Sequence, residues 1–178
     1  CQQCHTTSGV IAYLEANEDG DASDYVAPLN YNANYKPEML HCNGCHSDSL
    51  GGLRETAAIT ADYTNAPFTY PDAGNSNTCL ACHTGRESGD SIKNSTEDFA
   101  DTGFINSHYL TAGGTVYRAS GYEYDVDADA TTDDYANLPY FAHDMIGTAS
   151  EPGTGNGGPC IGCHLTSDES HSFQPVTR

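Results

Sequence analysis

The chain has 178 residues, the length of one modest domain, and only 37% of them are hydrophobic, too few to build a large core from side chains alone. Six Lys and Arg stand against 25 Asp and Glu, a formal net charge of −19. With no basic surface to neutralise phosphates, nucleic acid is excluded as a partner, and no run approaches the roughly 20 apolar residues of a membrane-spanning helix.

The chain opens on Cys1-Gln2-Gln3-Cys4-His5. The same Cys-x-x-Cys-His pattern returns at Cys42-Asn43-Gly44-Cys45-His46, Cys79-Leu80-Ala81-Cys82-His83 and Cys160-Ile161-Gly162-Cys163-His164, and these four pentapeptides use all eight cysteines. It is the attachment pattern of c-type haem: the thiols become thioethers to the porphyrin, and the adjoining His is set as an axial ligand. Zinc is the competing reading of paired Cys-x-x-Cys units, but a zinc knuckle has no reason to place His directly after every pair. Four motifs imply four haems c.

Behind the first motif, Val10, Ile11 and Leu14 fall at helical spacing and predict a short helix over Ser8–Ala16. The acidic stretch from Glu15 to Asp24 that follows reads as a solvated face. His41 directly precedes Cys42. One residue from a thioether of the second haem, it cannot swing to that haem's opposite face and is expected on another iron, most simply that of haem 1. Each motif is expected to form a single helical turn. Asn94-Ser95-Thr96 has the form of a glycosylation acceptor.

The first three motifs are separated by 36 and 32 residues, whereas 76 residues lie between the third and fourth. That long stretch carries His108 and His143, and reads as an excursion that returns to ligate haems bound earlier. A short helix is expected over Asn106–Ala112, and a loosely alternating extended segment over Thr115–Tyr124. A second acidic cluster runs from Glu123 to Asp134, with Asp125, Asp127 and Asp129 spaced as in a calcium loop; Ala130 and Ala136 stand where an EF-hand needs Gly and Glu. It reads first as a repulsive solvated surface, and second as an irregular Ca²⁺ or Mg²⁺ site. Residues 147–159 hold five glycines, a flexible approach to the last motif.

Outside the motifs four histidines remain, His41, His108, His143 and His171, one for each haem. They are the candidate distal ligands opposite His5, His46, His83 and His164, giving bis-histidine irons of low potential. Met39 and Met145, the two methionines, each lie two residues from one of these histidines and read as packing against a porphyrin face. With no axial position left open, the expected role is electron carriage and not catalysis. The fold class expected is a multihaem cytochrome c, mostly coil with short helices and very little strand, one domain over residues 1–178 wrapped around covalently bound cofactors. Haem c is attached after export, so a leader is expected to have been removed.

These features resemble the multihaem c-type cytochromes of metal-reducing microbes. The resemblance rests on the four motifs, the His41-Cys42 abutment, His108-Tyr109-Leu110 followed by Gly113-Gly114-Thr115-Val116-Tyr117, and the terminal Ser170-His171-Ser172-Phe173. In size and haem number the chain is most similar to extracellular tetrahaem cytochromes of the OmcE type, which polymerise into filaments. The resemblance implies a file of stacked haems continuing between identical subunits, an extracellular or cell-surface location, and exchange of electrons with other redox proteins or extracellular acceptors. It also implies one distal histidine from an adjoining subunit; His171 is the first candidate and His41 the second. Alternatives with the same motifs are a monomeric periplasmic shuttle and a multihaem reductase with one open iron.

Overall fold

The computed structural model describes residues 1–29, 38–96, 98, 100–108, 110–119, 143–165 and 170–174. Among these, the chain is mostly coil with short helices and one two-stranded hairpin, as its frequent Gly, Pro, Asn and Asp dictate. No described helix is long and apolar enough to cross a membrane.

Helix α1 is the first motif (Gln2–His5), and α2 (Thr7–Ala16) follows it almost without a break. Thr6 ends one and caps the other: its hydroxyl accepts from Gly9 N at 3.1 Å, satisfying an amide that the first helical turn leaves open. Val10, Tyr13 and Leu14, at i, i+3 and i+4, turn one face of α2 into the core. The helix stops at Asn17, whose buried amide donates to Thr56 Oγ1 at 3.0 Å and to Ala57 O at 3.2 Å, drawing the segment after the second motif onto the end of α2.

That segment becomes the hairpin of β1 (Thr60–Ala61) and β2 (Phe68–Thr69), with Thr60 opposite Thr69 and Ala61 opposite Phe68. Ile59, Ala61 and Tyr63 alternate inward with a period of two. They meet α4 (Asn77–His83), the third motif, whose Leu80 and Ala81 lie at the centre of the core. The second motif is the single turn α3 (Cys42–Cys45) and the fourth is α7 (Pro159–His164), with Pro at the first helical position. α5 (Gly89–Lys93) is closed by a reciprocal Ser88/Ser91 capping box.

Two expected elements differ. Residues 106–108 are coil, with His108 and Leu110 at φ 68° and 52°, a left-handed conformation that no right-handed helix accommodates. The helix begins later, as α6 (Ala112–Val116). Thr115 and Val116 are therefore helical where an extended segment was expected, because Gly113 presses α6 onto Leu80 and the His83 carbonyl so closely that a Cβ there would collide with both. Residues 120–124, the rest of that segment, lie outside the described residues.

Candidate haem-binding site

The third motif is the hub of the described structure. On one side, α1 docks through Gln3, whose side-chain amide donates to Ala81 O at 2.8 Å. Cys4 Sγ stands 3.8 Å from Ala81 O and Cys82 Sγ 3.9 Å from Gln3 O, a reciprocal arrangement that sets the two thiols side by side. On the other side Ser76, at the foot of α4, donates to Gly157 O at 2.6 Å and accepts from Ile161 N at 3.2 Å, which seats α7. These bonds bring Cys79 and Cys160 close enough for each to shift the other's acidity. A third link is shorter in sequence: Thr78 Oγ1 donates to Arg54 O at 2.7 Å, and Arg54 N to Cys45 O at 2.8 Å, tying the second motif to α4.

In each thiol pair the neighbouring thiol splits the two acidities. The Cys82 thiol lowers Cys4 to about 7 and is itself pushed up; Cys160 is likewise lowered to about 7 by Cys79, which rises. Among the described residues no three His, Cys, Asp or Glu side chains converge as a metal cluster. The cysteines meet across motifs in twos, an arrangement that suits separate thioether bonds better than a four-ligand zinc centre.

Three of the four motif histidines share one hydrogen-bonding pattern. His46 Nδ1 donates to Gly51 O at 3.0 Å, His83 Nδ1 to Leu110 O at 2.9 Å, and His164 Nδ1 to Phe173 O at 2.7 Å. A carbonyl oxygen can only accept, so Nδ1 carries the proton and Nε2 is the nitrogen left to bind a metal. This is the outer-shell device by which proteins orient imidazole ligands.

Two of the four remaining histidines face motif histidines. The His108 ring lies 6.0 Å from His5, centroid to centroid, and the His171 ring 5.8 Å from His46. Two imidazoles on opposite faces of one metal ion, with metal–nitrogen bonds of about 2 Å, have centroids about 6 Å apart. Both separations fit an iron between the rings. His108 is thus the ring set beside His5, where His41 was expected. His171 faces His46 of its own chain.

His41 precedes α3 in extended conformation and donates its backbone N–H to Thr7 Oγ1 at 2.8 Å, while His143 opens a short turn through Met145. Ile146, directly after that turn, packs on Gly162 inside the fourth motif. Neither His41 nor His143 is brought against His83 or His164 in any described ring contact. Large apolar side chains stand exposed beside the motifs, among them Leu40, Leu50, Leu110 and Phe173, where a porphyrin would cover them. Sequence reasoning missed Tyr63 and Tyr70, buried with hydroxyls 2.6 Å apart; Tyr63 also donates to Thr84 O, next to His83. Burial pushes both tyrosines above their ordinary range.

The acidic stretch at Glu15–Asp24 runs from the end of α2 through the buried Asn17 into a surface turn, where Asp21 accepts from Ser23 N at 2.9 Å. Asp125, Asp127 and Asp129 lie outside the described residues, and with them the Ca²⁺ or Mg²⁺ reading.

No family model matches the chain, and no solved structure matches it. Curated relatives do. The chain is 40% identical to C-type polyheme cytochrome OmcB of Geobacter sulfurreducens over a 198-residue alignment that takes in all of this chain and 26% of that protein. It is 41% identical to C-type polyheme cytochrome OmcC of the same species, over 199 residues, all of this chain and 25% of the relative. The chain therefore spans about a quarter of the length of the relatives it matches, and the similarity supports a multihaem c-type cytochrome.

Proposed function

We propose that this chain holds four haems c and carries electrons between them. The observation that carries the reading is the pair of facing imidazoles, His5 with His108 and His46 with His171, each at a spacing that fits one iron. Cys1 and Cys4, Cys42 and Cys45, Cys79 and Cys82, and Cys160 and Cys163 would supply the thioether bonds; His5, His46, His83 and His164 the proximal ligands; His108 and His171 two distal ones, with His41 and His143 for the rest. When bound, haem supplies reversible one-electron chemistry at iron.

The polypeptide's share is placement. Carbonyls at Gly51, Leu110 and Phe173 lock three imidazoles in one tautomer, so that an electron arriving or leaving needs little movement of the ligands. Saturated iron leaves no site for a substrate, which separates a carrier from a reductase. Attachment of haem c requires export, which supports a periplasmic, cell-surface or extracellular place of work. Among these the resemblance to filament-forming tetrahaem cytochromes favours a subunit of an extracellular polymer over a discrete shuttle, and negative-stain microscopy of the purified protein separates filaments from particles.

The test is haem content and spin state together. Mass spectrometry should find four covalently bound haems and no zinc, and electron paramagnetic resonance of the oxidised protein should contain low-spin ferric haem alone. A stoichiometric high-spin component, or a spectral change on adding nitrite, would favour the reductase. Bound zinc with no haem would discard the reading altogether.

A further inference from the structure

Two short segments, far apart in the chain, repeat one device. In the first, the His108 ring faces His5 while the carbonyl of Leu110, two residues on, accepts from His83 Nδ1. In the second, the His171 ring faces His46 while the carbonyl of Phe173, again two residues on, accepts from His164 Nδ1. Leu110 and Phe173 share nearly the same left-handed backbone, at φ 52° and 53°, a conformation that non-glycine residues seldom adopt and that persists where the surroundings demand it. Each segment therefore ties the distal imidazole of one haem site to the proximal imidazole of another. The first joins sites 1 and 3, and the second joins sites 2 and 4.

The thiol contacts supply the rest of the order. Cys4 of the first motif meets Cys82 of the third, on the pair that the first segment already joins. Ser76, at the foot of the third motif, holds Gly157 O at 2.6 Å and Ile161 N at 3.2 Å beside and within the fourth, which sets Cys79 and Cys160 close enough to shift each other's acidity, between the two pairs. A thioether sulfur lies two bonds from the porphyrin ring, through the carbon that was the vinyl group, so neighbouring cysteines of different motifs bring the rims of two porphyrins together.

Resting on the haem reading above, we infer that the four sites stand in space in the order first, third, fourth, second. They form two clamped pairs joined at Cys79 and Cys160, and electrons cross the chain along that route instead of following the motifs in sequence. Each transfer moves one electron, breaks no bond, and needs only a donor and an acceptor at the two ends.

The experiment uses the haem-loaded chain. In the reduced, diamagnetic protein, nuclear Overhauser contacts are expected between thioether protons of Cys4 and Cys82 and between those of Cys79 and Cys160, with none between the first and second haems. In the oxidised protein, Leu110→Pro should shift the haem-methyl resonances of haems 1 and 3 and spare the others, because proline fixes φ near −65° and cannot keep the carbonyl where His83 needs it. Phe173→Pro should do the same to haems 2 and 4. Leu110→Gly and Phe173→Gly, which tolerate positive φ, should leave all four in place and keep the test readable if a proline variant fails to fold. Contacts between haems 1 and 2, perturbation of a single haem by either proline, or glycine variants that disturb the same resonances as the prolines would overturn the inference. A chain with fewer than four covalent haems would instead fail the functional reading and is recognised first, by mass.

Discussion

The two clamps sit in unlike surroundings. Around sites 1 and 3 the polypeptide makes its own interior: Val10, Tyr13 and Leu14 of α2, Ile59 and Tyr63 before and after β1, and Tyr70 close over α4, where Leu80 is 0% exposed. Around sites 2 and 4 it makes almost none. Residues 47–52 are exposed throughout, with Leu50 at 95%, and Phe173 is 59% exposed. The difference shows which half of the molecule is held by its own side chains, and on the proposed reading the other half draws its apolar contact from porphyrin. It also places the hub helix in the rigid half, so the two pairs meet on a fixed support.

The sharpest way to break this comparison is to empty one interior. Leu80→Ala removes a fully buried side chain from the centre of α4, and such truncations cost about 2–5 kcal/mol. Leu50→Ala, on the open side, should cost less than about 0.5 kcal/mol unless a porphyrin covers it. Denaturant unfolding of both haem-loaded variants measures the gap. Equal losses would mean that cofactor burial has made the two halves alike, and the asymmetry described above would belong to the polypeptide only.

A smaller effect is expected from Tyr63→Phe. The Tyr63 hydroxyl joins Tyr70 to the carbonyl of Thr84, next to His83, and its removal leaves buried polar groups unpaired at about 1–3 kcal/mol. The loss should register in global stability and in the haem 3 resonances, with haems 2 and 4 silent. Thr6→Ala should cost about 1 kcal/mol, the worth of an N-cap, since Thr6 Oγ1 is the acceptor for Gly9 N at 3.1 Å. If thermal unfolding moved no further than in an exposed-site control, α2 would be held by packing alone.

How much of this was legible beforehand differs by residue. The motif helices and α2 were, because Cys-x-x-Cys-His is a chemical pattern and Val10, Ile11 and Leu14 carry a periodic one. The inward alternation of Ile59, Ala61 and Tyr63 was not, because one of its three members is alanine and the hairpin it feeds is two residues long on each side. The clamps were also hidden. His108 and His171 were recognised as spare ligands, but a left-handed Leu110 or Phe173 has no signature in composition, and the carbonyls that orient His83 and His164 belong to residue types that any backbone could supply. Adjacency to Cys42 says where His41 cannot bind but not where it does, and the ring beside His5 in the fold is that of His108.

The finest test concerns the tie between the rigid half and the second motif. Glu38 accepts from Ser8 N and from Ser8 Oγ, both at 2.7 Å, and these bonds, with the Ser8 hydroxyl leading, hold its carboxyl below the ordinary carboxylate range. The carboxylate sits at the first turn of α2, where the helix dipole favours negative charge. Beside it, Thr7 Oγ1 donates to Met39 O at 2.8 Å and accepts from His41 N at 2.8 Å, so the same turn holds the segment leading into Cys42. A group whose folded pKa is depressed contributes stability above its unfolded value, and that contribution is lost as pH falls through the folded one. Acidification should therefore release residues 38–41 from α2 before the core around Leu80 responds. Amide hydrogen exchange at His41 measures it: protection should fall as Glu38 protonates, and Glu38→Gln should start lower and stay flat through the same range. An identical acid dependence in the Gln variant would assign the loosening to other carboxylates and cut the proposed tie.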